Sequence, residues 1–347
     1  MTSRARVMAA FAHREGDRVP AWCGASVEFW AKAKAALGLD DEGLRLRFAD
    51  DFRRVVAPYA GPPLPCLPGM VSCSVFGVQR RGMGYGQPAS HPLAHAETPA
   101  GIEAYAWPDP AWIDVSAVRG EAARWHGEFA VLGGDWSPFW HDAIDLLGME
   151  HLLLLMYDAP ETVDRLLEIL VDYYAAVSER IFDAAGDVID IFFFGNDFGG
   201  RGGPLIGPDL FTRFFAPHLR RFADLGHRYG LKVMMHCCGG FAPLIPLMIE
   251  AGLDGLHAVQ PSCAGMDLRG LKRDFGGKIL FNGAIDSHRV LIDGTPDSVR
   301  AATREVLSIM KPGGGYIAGA SHDTILEETP LANVLAMFDA IREFGAY

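Results

Sequence analysis

The stretch LKVMMHCCGGFAPLIPLMIEAG, residues 231–252, brings an imidazole and two thiols to the end of a short apolar run, directly before two glycines. On an extended strand, residues two apart share a side. His236 and Cys238 therefore face one way, and Cys237 turns outward into a covering layer. Zinc accepts imidazole nitrogen and thiolate sulfur in a tetrahedral shell, and a site with three protein donors leaves one position for substrate. Two donors do not complete such a shell. The same pair also suits a capped strand end, with His236 bonded to a carbonyl and Cys238 packed as a small hydrophobe. Gly239 and Gly240 would let the backbone approach a ligand closely.

Such a cluster needs elements to position it, and the chain supplies an alternation of short β-type runs and helical patterns. The runs are 19–25, 52–59, 129–135, 190–197, 232–238, 255–262, 279–286 and 315–322. Between them, ETVDRLLEILVDYYAAVSERIFDAAG and DLFTRFFAPHLRRFADLGHRYG carry apolar residues at three and four spacing. The second ends at a glycine suited to a left-handed cap. Eight strand and helix pairs predict an α/β fold, a (β/α)8 TIM barrel, although a doubly wound open sheet gives a similar pattern. In a barrel the carboxyl ends of the strands share one face. Asn196 and Asp197 end the fourth run, His236 and Cys238 the fifth, and Gln260 and Cys263 the sixth. Asn282 and Asp286 end the seventh, and Ser321, His322 and Asp323 the eighth, so these groups converge on one pocket.

Residues 60–113, rich in Pro and Gly, break the rhythm and predict an inserted hairpin-rich excursion after the second strand, either a lid or substrate wall or a surface decoration. No linker divides the chain, so residues 1–347 are expected to form a single domain with the insertion inside it. Half of the residues are hydrophobic, and the net charge of -12, from 31 basic and 43 acidic side chains, argues against a nucleic-acid partner. The first residues lack the apolar core of a secretory signal, and no run of eighteen uncharged apolar residues follows. The expected location is the cytoplasm, with no membrane partner. Six cysteines without a repeating framework point to reduced thiols.

The segments MMHCCGGFAPLIPLMIEAGLDGLHAVQPS, LKRDFGGKILFNGAID and GGGYIAGASHDTILEETPLANVLAMFDAI resemble the second half of the uroporphyrinogen decarboxylase superfamily. DIFFFGNDFGG, the early DRVP and NVLAMFDAI fit as well, so the resemblance spans nearly the whole chain apart from the insertion. It implies a (β/α) barrel rather than an open sheet. The superfamily contains the haem-pathway decarboxylase and zinc-dependent methyltransferases that work with corrinoid proteins. In the decarboxylase an Arg-Gln-Ala-Gly-Arg-Tyr motif after the first strand holds the substrate's carboxylates. Here that place reads AWCGASVEFW, without arginine, and the aspartate that ends the second strand is replaced by VVAPYAG. His322 does resemble the decarboxylase's late histidine. The methyltransferase branch holds zinc with His-X-Cys on the fifth strand and a cysteine near the end of the last. His236 and Cys238 match the first pair, but the late region reads AGASHD, and no cysteine follows Cys263.

The resemblance thus implies a methyltransferase that moves a methyl group between a small methylated substrate or thiol and a corrinoid (cobalamin), with zinc as Lewis acid. His236, Cys238 and His322 are the expected metal ligands, with Cys263 or Asp197 as alternatives to His322. Asp197 and His322 are the expected acid and base, while Asn196, Gln260 and Asn282 would orient the substrate. Trp22 and Trp136, with Phe29 and Trp140, would wall an apolar pocket for a methoxylated aromatic or a quaternary amine. The corrinoid would arrive on a separate carrier protein, and a homodimer is the assembly that the resemblance suggests. Two other readings stand beside this one. They are a metal-free decarboxylase of a porphyrinoid or smaller acid, and a barrel that binds a tetrapyrrole or corrinoid without chemistry.

Overall fold

A computed structural model of the chain describes residues 1–82 and 86–347. Seven parallel strands lie side by side in chain order. They are β1 (Phe52–Arg54), β2 (Ala130–Gly133), β3 (Ile191–Gly195), β4 (Lys232–His236), β5 (Gly255–Val259), β6 (Leu280–Ile285) and β7 (Tyr316–Ala320). The expected first strand is not a regular one. Segment 19–25 closes the barrel through single bridges from Ala21 to Asp50 on one side and Ala318 on the other. The reason is local: Pro20 has no N–H to donate, and the Ala21 N–H is taken at 2.7 Å by the Asp51 carboxylate rather than by a neighbouring strand. This first stave is held by backbone bonds from the Trp22 N–H to the Ala318 carbonyl at 2.9 Å, from the Ala318 N–H to the Pro20 carbonyl at 2.8 Å and from the Asp51 N–H to the Ala21 carbonyl at 3.0 Å, together with the buried Asp51 carboxylate. The fold is the expected (β/α)8 TIM barrel.

Alternation along the strands sorts side chains in and out. On β3, Ile191 and Phe193 enter the barrel with Leu132, Met234, Leu280 and Ile317, while Phe192 and Phe194 face Phe222 in the helical layer. Helix α1 (Ser3–Phe11) closes the bottom, sending Val7 and Phe11 into the same interior cluster. Arg4 fixes it there by pairing with Asp190 at 2.8 Å, just ahead of β3. With the amino ends plugged, the carboxyl ends are left for a site.

The excursion after β1 is clasped by an antiparallel bridge from Tyr59 to Ile113 and holds a small three-stranded antiparallel sheet. Residues 83–85 of the expected insertion lie outside the described residues. Phe76 drives its ring between Tyr173 and Tyr174, 5.2 and 5.8 Å away, and His91 Nδ1 meets the carbonyl of Asp145 at 2.8 Å. These contacts tie the excursion to α2 (Phe139–Leu147) and α3 (Pro160–Ala185). The second expected helix divides into α4 (Pro208–Phe214) and α5 (Ala216–Arg228), because Pro217 cannot donate to a preceding carbonyl. Gly230 ends the segment in the left-handed region, φ 74°, as the sequence predicts. Among the described residues no helix is long and apolar enough to cross a membrane.

Candidate metal centre at the carboxyl ends of the strands

Strand parity carries His236 and Cys238 to the inside of the barrel and Cys237 to the outside. Cys237 is fully buried in the helical layer, accepting from the Phe198 N–H at 3.4 Å. Cys238 Sγ lies 3.2 Å from His236 Nε2, and Asp197 Oδ1, from the neighbouring β3 end, lies 3.3 Å from the same nitrogen. The adjacency is a product of register, since Gly195 pairs with His236 and Asp197 sits two residues on. The Cys238 N–H donates to Asp197 Oδ1 at 2.6 Å, which pins the carboxylate over the loop. A second group shares the imidazole: His236, His257 and Asp323 also bring ligand atoms within 4.8 Å of one another.

The donor set fits zinc. Bonds of about 2.0 Å to nitrogen or oxygen and about 2.3 Å to sulfur place tetrahedral donors roughly 3.3–3.6 Å apart. The separations at His236 Nε2 are close to that edge. Electrostatics point the same way. Burial opposes charge on Asp197, yet hydrogen bonds from His141 and His236 hold its carboxyl well below the usual carboxylate range. Burial likewise works against a charged His236, but Cys238 and Asp197 raise it well above the ordinary value. Burial pushes the Cys238 thiol up despite the imidazole beside it. Metal capture would displace these protons, as it does at thiolate and imidazole sites generally.

Of the other expected residues, some reach the centre and some are structural. Among the described residues, the group whose atoms lie close enough to share an ion with His236 and Cys238 contains Asp197, the expected alternative, and not His322, whose Nδ1 faces the Thr324 carbonyl at 3.0 Å and folds it onto its own loop. Cys263 lies outside as well, with Sγ 3.5 Å from Gln260 Oε1. Asn196 is buried with both ends committed, accepting from the Trp140 N–H at 2.9 Å and donating to the Ser137 carbonyl at 3.1 Å. It positions a loop and is fully buried, so it does not line the pocket surface. Gln260 Oε1 accepts the Gly239 N–H at 2.7 Å and so shapes the turn after Cys238. Asn282 is fully buried and aligned with His257 across β5 and β6.

The aromatic expectation divides in the same way. Trp22 packs on His257, 4.7 Å between centroids, and Trp136 on His236 at 5.6 Å, with Phe193 between them at 5.1 and 5.3 Å. These three rings wall the imidazoles. Phe29 and Trp140 are fully buried and belong to the outer core, Trp140 donating through Nε1 to the Asp197 carbonyl at 2.9 Å. Sequence reasoning missed His257, His141 and Arg54. His141 Nε2 meets Asp197 Oδ2 at 3.3 Å, and the Arg54 guanidinium lies over Trp136 and Phe193, 5.3 and 5.6 Å from the ring centroids. A signal existed for His257, a lone imidazole within the apolar run GLHAV. Burial, with His236, His322 and Arg54 nearby, keeps it neutral.

Comparison with known proteins gives a consistent placement. The pattern of uroporphyrinogen decarboxylase (URO-D) matches residues 83–344. Over 193 residues, 54% of this chain and 51% of the relative, the chain is 22% identical to a methylcobamide:CoM methyltransferase, MtbA, of Methanosarcina acetivorans. Over 221 residues, 62% of this chain and 60% of the relative, it is 24% identical to a uroporphyrinogen decarboxylase of Syntrophotalea carbinolica. The matches thus span about half to three fifths of these relatives' length. A solved methyltransferase from Methanosarcina mazei superposes over 99% of both chains, with a TM-score of 0.74 at 20% identity, and that likeness concerns the fold.

Proposed function

The chain belongs to the uroporphyrinogen decarboxylase family, and from that premise we propose that it is a methyltransferase which exchanges a methyl group between a small methylated compound or thiol and a corrinoid borne by a separate protein. The meeting of Asp197, His236 and Cys238 at the carboxyl ends of β3 and β4 carries this reading. These residues would hold zinc, which when bound supplies a Lewis acid for a leaving heteroatom or lowers the pKa of an attacking thiol. The relatives named as methyltransferases support the same activity.

The chain's own groups divide the remaining work. Asp197 accepts at Oδ2 from the half-exposed His141, which holds the carboxylate in its charged form over the site. His322 offers Nε2 as acid or base, since Nδ1 is taken by its own loop. Trp22 and Phe193 exclude water from the imidazoles, and the half-buried Trp136 presents a flat apolar face to a substrate. The test is to incubate zinc-loaded protein with methylcobalamin and a panel of thiols. Loss of the methyl group to one thiol, abolished by Cys238→Ser, supports the assignment. Full turnover by Cys238→Ser would overturn it.

A relative favours a second reading, since the chain is 24% identical to a uroporphyrinogen decarboxylase over 62% of its length. A zinc-independent release of carbon dioxide from a small acid or porphyrinoid, unchanged by Cys238→Ser, would select a decarboxylase.

A further inference from the structure

We infer that His257 is the positioning residue of the centre: it accepts the Nδ1 proton of His236 and thereby commits His236 Nε2 to the metal. The inference rests on the zinc reading above. His236 turns Nε2 toward Cys238 Sγ at 3.2 Å and Asp197 Oδ1 at 3.3 Å, so the lone pair offered to a metal is on Nε2. A neutral ring then carries its proton on Nδ1. That nitrogen lies 3.0 Å from His257 Nδ1.

A hydrogen bond between two ring nitrogens requires one donor and one acceptor. His257 Nδ1 is therefore the acceptor, and the His257 proton resides on Nε2. The backbone enforces the pairing: His236 and His257 are register partners on β4 and β5, and the Cys237 N–H donates to the His257 carbonyl at 2.5 Å. Register places Asn282 next in the same row, opposite His257. His257 Nε2 and Asn282 Oδ1 are both buried atoms without a hydrogen-bond partner. In the tautomer that His236 demands, the first is a donor and the second an acceptor, so the two unpartnered atoms are complementary in kind. A metal-bound histidine commonly gives its second N–H to a carboxylate or carbonyl. Here a neutral imidazole takes that proton and adds no charge to a centre whose carboxylate and thiolate already balance a divalent cation.

The test compares His257→Phe, which keeps a ring of similar size but no acceptor, with His257→Asn, whose amide oxygen occupies the place of Nδ1. Zinc affinity is measured by competition with a chromophoric chelator, beside circular dichroism and melting of each variant. His257→Phe should bind zinc about 10- to 100-fold more weakly with its fold intact, and His257→Asn should recover most of the difference. Equal affinity of native protein and a folded His257→Phe, or an equal loss in both variants, overturns the inference. Should His257→Phe not fold, nitrogen-15 spectra of native zinc-loaded protein decide: a proton on His236 Nδ1 is expected, and metal or a bare lone pair at Nδ1 contradicts it. A native chain that takes up no zinc removes the zinc reading and this inference together. Native binding that His257→Phe leaves unchanged removes this inference alone.

Discussion

Three side chains share the candidate centre, and each makes a distinct demand. Cys238→Ser replaces a soft sulfur by a hard, weakly acidic oxygen, and Asp197→Asn removes the carboxylate that accepts from the Cys238 backbone. Both should lower zinc content to near zero by elemental analysis. Cys263→Ser, whose thiol faces Gln260, should leave zinc content unchanged. A different residue sets a pH dependence of stability. Asp142 is buried on α2 against Tyr174; burial, opposed by that hydrogen bond, raises its carboxyl from 3.8 to about 7. A raised carboxyl binds its proton more tightly in the folded than in the unfolded state. Its contribution is therefore complete below the unfolded value and is lost as pH rises toward and through about 7. Urea unfolding at pH 5 and 8 should show native protein losing stability relative to Asp142→Asn over that interval. Parallel curves would contradict the assignment.

At the scale of elements, what was legible in the sequence followed from local periodicity. The period of two on residues 232–238 sent His236 and Cys238 inward and Cys237 outward, as the barrel has them. The sequence offers Asp197 only as one of three candidates for the third ligand; the register of β3 on β4, which no single segment encodes, is what sets it beside His236. His257 escaped notice because it lies within an apolar run rather than at its end, and its partners are on other strands. Composition predicts a regular strand for the first stave, while Pro20 and the Asp51 carboxylate limit it to single bridges. The turn after Cys238 gives a test at this scale. Gly239 has φ 87°, and a Cβ there would meet the Gly199 carbonyl carbon and oxygen at 2.2 and 2.4 Å. Gly230 has φ 74° but open space around it. Left-handed strain of roughly 1–3 kcal/mol is common to both positions. Gly239→Ala alone should therefore also displace Cys238 and weaken zinc binding, whereas Gly230→Ala should cost stability only.

For the whole molecule, closure of the barrel depends on Asp51. Its fully buried carboxylate binds Arg6 at 2.6 Å, Arg18 at 2.9 Å and the Ala21 N–H at 2.7 Å, joining α1, the first stave and β1. Asp51→Ala leaves two guanidinium groups without their buried partner and should cost about 3–5 kcal/mol in urea unfolding; a loss below about 1 kcal/mol would show that the stave is held otherwise. The same closure sets the carboxyl ends of β3, β4 and β5 side by side, and the account of function stands on what they hold. X-ray absorption at the zinc edge of protein purified without chelator tests this most directly. The expected result is about one zinc per chain, with a single sulfur near about 2.3 Å and nitrogen or oxygen neighbours near about 2.0 Å. A protein without zinc, or a zinc shell that contains no sulfur, would contradict it.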